Sequence, residues 1–154
     1  DERAEVEGGT YRVLDPGFLG YGAKSRFFGQ IVTLKIFEDN TLVRTALEGD
    51  GHGKVLVVDG GGSKRCALVG DQLALLGVKN GWAGIVAYGC IRDSAEIAGM
   101  GIGIKALGTH PKKSVKKGVG DRDIPVTFHG VTLSPGEYVY ADEDGIVVSS
   151  RALL

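Results

Sequence analysis

Apolar residues fall along this chain in short blocks, and their spacing changes from one block to the next. Residues 30–37 (QIVTLKIF) alternate apolar and polar side chains, the pattern of a strand with one face buried. Asp39 and Asn40 then offer helix caps, with Leu42, Val43, Ala46 and Leu47 on one face behind them and a glycine-rich stop at residues 49–53. Residues 55–58 form an unbroken apolar run between glycines, which fits a strand covered on both faces. Helical spacing returns over residues 71–80 through Leu73, Leu76 and Gly77, and Gly81 is the stop. A buried strand at 84–88 follows, then a short helix at 93–99 that Asp93 or Ser94 can cap, then a strand at 103–107.

The rhythm changes after His110. Short β runs at 126–128, 131–133, 138–141 and 146–149 are punctuated by Gly130, Pro135-Gly136 and Asp144-Gly145. At the other end, residues 1–10 are polar and acidic and read as a loose arm or frayed helix. Residues 11–24 carry the turn signals Asp15-Pro16-Gly17 and Tyr21-Gly22. Helices fill the middle and strands fill the ends. That order predicts an α/β domain over residues 1–154: a mixed sheet, helices on part of it, and a β layer elsewhere. No linker, repeat or low-complexity tract divides it.

Composition narrows the function classes. The chain has 154 residues, 43% hydrophobic and 24% charged, enough for one domain with a real core. A net charge of −1 gives no general attraction to nucleic acid or to a membrane surface. No apolar run is long enough to span a bilayer, and no signal peptide is visible. The missing initial Met implies that a few native residues precede Asp1. The 26 glycines show no collagen period and sit at turns. Cys66 and Cys90 are flanked by apolar residues, which points to buried free thiols and a cytoplasmic setting.

Candidate chemistry gathers between residues 55 and 93. Asp59-Gly60-Gly61-Gly62-Ser63 follows a buried strand and invites a nucleotide or S-adenosylmethionine reading. It matches neither G-x-G-x-x-G nor the Walker pattern, so a tight turn is the better account. Gly70-Asp71 opens a helix whose free N–H groups and positive dipole end can hold a carboxylate; a plain cap is the other reading of Asp71. Arg92-Asp93 stands just past a strand, where open α/β sheets collect ligands. Arg92 can fork onto a carboxylate, and Asp93 can ligate a hard divalent cation or simply cap the next helix. Lys112, Lys113, Lys116 and Lys117 read as a solvated loop rather than an RNA site, because no aromatic residue is interleaved. His52, His110 and His129 have no metal spacing, and His110 is at most a supporting residue. Nothing in the sequence marks Lys105 for Schiff-base chemistry.

Five segments together resemble the RraA-like family, which covers the regulators of ribonuclease activity A and the 4-hydroxy-4-methyl-2-oxoglutarate aldolases. They are FEDNTLVRTAL, GKVLVVDGGGSKRCALVGD, KNGWAGIVAYGCIRD, GIKALGTHPKKS and GVTLSPGEYVYADEDGIVVS. Aldolases of this family carry an Asp, twenty residues, then Arg-Asp, and Asp71 with Arg92-Asp93 keeps that spacing. The resemblance implies a swivelling β/β/α domain, a homotrimer with its site between subunits, and a 4-hydroxy-2-oxo acid substrate cleaved to pyruvate. Oxaloacetate decarboxylation is implied as well. By the same resemblance Asp93 ligates Mg²⁺ or Mn²⁺, Asp71 holds metal-bound waters, and Arg92 grips the keto acid. Gly70, Asp71, Gln72 and Leu73 supply backbone N–H groups to the substrate. The resemblance also implies that some family members inhibit a ribonuclease E-type enzyme through protein contact; some of these inhibitors have lost the acid of Arg-Asp, which this chain keeps. Longer aldolases add an acidic C-terminal extension, and this chain stops at Leu154, which leaves its proton carrier unassigned.

Overall fold

The computed structural model describes residues 11–153, so the expected N-terminal arm lies outside the described residues. The elements run β1 (Tyr11–Val13), β2 (Leu19–Tyr21), β3 (Phe27–Lys35), α1 (Thr41–Leu47), β4 (Lys54–Asp59), β5 (Ala67–Val69) and α2 (Asp71–Lys79). They continue with β6 (Gly84–Ile91), α3 (Ser94–Ile97), β7 (Gly103–Thr109), β8 (Asp121–Arg122), β9 (Val126–Phe128), β10 (Val131–Leu133), β11 (Tyr138–Ala141) and β12 (Ile146–Ser149). Among the described residues no helix is long and apolar enough to cross a membrane.

One mixed sheet organises the chain, in the order β1-β12-β11-β3-β4-β6-β7-β2, with β5 beside β6 and β8 beside β3. Its centre, β3-β4-β6-β7, is parallel, and β5 joins β6 in the same sense. The flanks are antiparallel. Such a centre needs cover on both faces, which is why β4 and β6 are buried along nearly their whole length.

Alternation along the strands sorts the core into two layers. Leu56, Val58, Ile85, Ala87, Ile104 and Ala106 face the helices, against Val43 and Leu47 of α1, Leu73 of α2 and Ile97 of α3. Val55, Val57, Val86 and Ile31 face the other way, against Val126, Phe128, Val131 and Leu133 of the β9-β10 hairpin. The expected mixed sheet with helices on part of it and a β layer elsewhere is observed, and the structure adds that the two lie on opposite faces.

The residue 11–24 stretch, expected only to turn, also supplies β1 and β2 as short edge strands. Two glycines show how tightly the centre is packed. Gly84 and Gly103 are register partners, and the Phe27 ring lies on both. A Cβ at Gly84 would stand 2.1 Å from that ring. Gly84→Ala is therefore expected to destabilise the protein by about 1–3 kcal/mol through overpacking, read as a lowered urea midpoint with an unchanged slope.

Candidate active site

Chain connectivity alone brings Asp71 to Arg92-Asp93. Strands β5 and β6 run parallel with Val69 opposite Ile91, so the residues leaving their C-terminal ends are neighbours. The twenty residues between Asp71 and Arg92 are the length of α2, its turn and β6. Arg92 N–H donates to Val69 O at 2.9 Å, which fixes the two exits side by side.

Gly70 occupies the N-cap position of α2 in extended backbone, and Asp71 is the first helical residue. Asp71 is thus not the cap. Asp93 takes that role from outside the helix: its Oδ2 accepts the Asp71 N–H at 3.0 Å. The Asp71 carboxylate accepts the Gln72 N–H at 2.8 Å. Both bonds satisfy donors that the first helical turn leaves without intrahelical acceptors. This is the helix end expected to hold a substrate carboxylate, and here two of the protein's own carboxylates show its preference for anions.

Asp93 adopts a left-handed conformation with φ of 58°. It stands at the N-cap position of α3, but its side chain makes no capping bond there and turns to α2 instead. The Arg92 Nε lies 3.9 Å from Asp93 Oδ2, and each side chain keeps about a third of its surface exposed, 33% and 31%. Both are held near Gly70 because that residue lacks a side chain. A Cβ on Gly70 would meet Asp93 Oδ2 at 2.9 Å and Arg92 Nε at 3.0 Å.

These residues stand at one end of a cleft of about 260 Å³. Gly70, Asp71, Gln72, Leu73 and Arg92 line it, while Asp93 opens onto the adjoining hollow that Arg92 shares with His110. The lining includes four cations, Arg44, Arg92, Lys113 and Lys116, against one acid, Asp71. A dianion is the ligand such a lining favours.

Three of those cations were missed in the sequence. The lysine segment is exposed, as expected, and is also bound to the sheet at several points. Ala67 N–H donates to Lys112 O at 2.8 Å, and Lys116 Nζ reaches Asn40 Oδ1 at 3.2 Å. Asn40 is buried and donates to Leu68 O at 3.0 Å, tying α1 to β5. Asp39 Oδ2 accepts the N–H groups of Lys117 and Val119 at 2.9 and 3.1 Å. A signal was available: the segment follows the C-terminal end of β7, the rim on which β5 and β6 also end. Ser114 lines the cleft too, with a buried hydroxyl that finds no partner among the described residues.

Burial raises the pKa of Asp39, but bonds from Thr41, Lys117 and Val119 outweigh it and hold the carboxyl at about 2, below its ordinary 3.8. A carboxyl depressed on folding stabilises the native state above its unfolded pKa. That contribution is lost as pH falls through about 2. The Lys117 and Val119 amide resonances are expected to titrate together near that pH, and the urea midpoint to fall over the same window. Asp39→Ala should remove the shared titration.

The other candidates separate from the site. Both cysteines are free and buried, and burial pushes each thiol upward, away from thiolate chemistry. His52 pairs with Asp50, and His129 Nδ1 meets Asp15 O. His110 Nδ1 accepts the Lys112 N–H at 3.1 Å and so supports the lysine segment. The Gly60–Gly62 turn is filled by its own chain. Leu68 and Tyr88 crowd Gly60, Phe37 covers Gly61, and Tyr88 covers Gly62.

The fold and site define a mixed α/β domain whose parallel strands present acid, arginine and acid at one rim of a cationic cleft. Residues 4–148 match the profile of the RraA-like family, described as Aldolase/RraA, and the chain belongs to that family. A relative from Dechloromonas aromatica (strain RCB), provisionally named 4-hydroxy-4-methyl-2-oxoglutarate aldolase, is 64% identical across 99% of this chain and 94% of its own. The structure of the RNA-processing inhibitor RraA from Thermus thermophilis superposes with a TM-score of 0.93 at 44% identity, covering 96% of this chain and 90% of that one. A Geobacillus kaustophilus structure, titled S-adenosylmethionine:2-dimethylmenaquinone methyltransferase, gives 0.92 at 53% identity, covering 94% and 89%.

Proposed function

We propose that this protein is a divalent-metal-dependent aldolase of the cytoplasm. Its substrates are 4-hydroxy-2-oxo acids of the 4-hydroxy-4-methyl-2-oxoglutarate type, which it cleaves to release pyruvate, and it decarboxylates oxaloacetate. The observation that carries this reading is the convergence of Asp71, Arg92 and Asp93 at the ends of β5 and β6, where Arg92 joins a cleft lined by four cations to the hollow lined by Asp93.

The donor set suits a hard cation. Mg²⁺ takes oxygen ligands and needs only one or two protein carboxylates, with water and substrate completing its shell. No group of three or more acidic, histidine or cysteine side chains gathers among the described residues. An all-protein cage is therefore not what Asp93 and Asp71 build. Asp93 engages one oxygen with the Asp71 N–H and keeps the other for a ligand. Asp93 would hold Mg²⁺ or Mn²⁺, and Asp71 would hold water around it. When bound, the cation acts as a Lewis acid that draws electron density from the substrate's 2-keto oxygen.

The protein's own groups do the rest. Arg92 forks onto the keto acid end of the substrate, and the N–H groups of the Gly70–Leu73 turn that the Asp93 and Asp71 carboxylates do not take, those of Gly70 and Leu73, receive the adjacent carboxylate. Arg44, Lys113 and Lys116, which line the same cleft, hold the second carboxylate. A base then removes the 4-hydroxyl proton, the bond between carbons 3 and 4 breaks, and its electron pair enters pyruvate enolate. Arg92 offsets the charge that develops. Protonation of carbon 3 gives pyruvate. In oxaloacetate the same electron sink accepts the pair freed when CO₂ leaves.

Coupled detection of pyruvate from oxaloacetate tests this, with a protein-free metal blank. Turnover is expected with Mg²⁺ or Mn²⁺ and is expected to vanish with EDTA. Turnover indifferent to chelation would reject the mechanism. As part of the same proposal, the active assembly is a homotrimer with the cleft at its subunit junctions, measurable by light scattering. Similarity to the Thermus inhibitor supports a second reading, in which the protein masks a ribonuclease E-type enzyme by contact. Unchanged RNA cleavage at micromolar protein would dismiss it.

A further inference from the structure

The sheet face turned away from the helices holds a buried cation that the proposed chemistry leaves unused. Lys105 lies on β7 between Val86 of β6 and Gly20 of β2, and only 5% of its surface is exposed. Its Nζ sits over Gly20, 3.7 Å from where a Cβ on that glycine would stand. Among the described residues no hydrogen bond or ion pair reaches it. The side chain is buried along its length but its ammonium faces a cavity, where with no acceptor among the described residues it can take an anionic partner.

Lys105 lines a cavity of about 390 Å³. Leu14, Phe18 and Ile146 give it apolar walls, and Leu14 and Ile146 are themselves buried. Three acids, Asp15, Glu143 and Asp144, stand exposed at its mouth. None of them answers the lysine. Glu143 accepts from Ser25 at 2.8 Å and from Arg26 at 3.0 Å. Asp15 turns its carboxylate toward Gly130, 2.9 Å from that residue's Cβ position. The cavity therefore has a cationic floor, apolar walls and an acidic rim. It is separate from the catalytic cleft, which opens on the helix side of the sheet.

We propose that this cavity binds a small organic monocarboxylate with an aliphatic body. The carboxylate meets Lys105 Nζ, and the alkyl part packs on Leu14, Phe18 and Ile146. The acidic rim repels a second negative charge, so dicarboxylates of the substrate class are refused there. The same rim tolerates an ammonium, so a simple aliphatic acid and an aliphatic amino acid are the two sources of this chemistry. At about 390 Å³ the space is near the lower end of small-ligand pockets, which suits a body of a few carbons.

The test is an amide NMR titration of the full chain with butyrate, 2-aminobutyrate, butyramide and succinate. Saturable shifts at Phe18, Gly20 and Lys105 are expected with butyrate or 2-aminobutyrate at millimolar concentration. A stronger response to 2-aminobutyrate assigns the site to amino acids; an equal or weaker one assigns it to aliphatic acids. Butyramide and succinate are expected to bind at least tenfold more weakly. Lys105→Met should weaken butyrate binding at least tenfold. Should that variant fail to fold, butyrate against butyramide on the unaltered protein decides the matter. Unmoved resonances with both monocarboxylates, or equal binding of butyramide, would overturn the site without touching the aldolase reading.

Discussion

Replacing Asp93 by asparagine is expected to lower metal-dependent pyruvate release by at least about 10³-fold, near 4 kcal/mol of transition-state stabilisation. Asparagine is the informative change. It keeps the shape of the side chain, tolerates the left-handed backbone at φ of 58°, and can still accept the Asp71 N–H. What disappears is the charge and the second carboxylate oxygen needed to hold a divalent cation. The cost to folding should be small, because the Arg92–Asp93 contact is long and a third exposed on each side. Steady-state assays and thermal melts on one preparation separate these effects. Lost activity with an unchanged melt is the expected result.

Arg92→Ala is expected to be the second-largest change, a loss of about 10²–10³-fold in kcat/KM, or roughly 3–4 kcal/mol. The guanidinium is the one cation of the cleft placed beside Asp93, so its removal strips both substrate grip and charge compensation. The split between constants is diagnostic. If Arg92 acts in the transition state, kcat falls as well as KM rising. Lysine should recover only part of the loss, since an ammonium cannot fork onto two oxygens. Full rescue by lysine would mean that position 92 supplies only a point charge.

The half of the site lying on one contiguous unit was legible in the sequence. Asp71 opens α2 and Arg92-Asp93 follows β6, as the pattern and the family spacing indicated, while the pairing of β5 with β6 that brings them together is shown only by the structure. Arg44 and the lysines reach the cleft through pairings distant in sequence, such as Asn40 with Leu68 and Ala67 with Lys112. Local patterns carry no record of those contacts. The same limit applies to the fold. The long apolar runs of β4 and β6 announced themselves, and Gly81, at φ of 82°, ends α2 where the pattern placed the stop. Strand β5 was invisible because Ala67–Val69 is three residues wedged between a turn and a helix, too short to show a period. Strand β3 begins at Phe27 rather than at residue 30, because Gly29 interrupts the apolar signal while its backbone packs against Gly53. Lys105 also had no marker in the sequence; only the tertiary structure shows that it is buried.

The proposed chemistry needs a divalent cation on Asp93 with a keto acid on Arg92. A crystal soaked with Mn²⁺ and pyruvate tests it most directly. Anomalous density beside Asp93, ringed by oxygen ligands and with the pyruvate carboxylate on Arg92, is the expected result. A well-ordered cleft that takes up neither manganese nor pyruvate would contradict it.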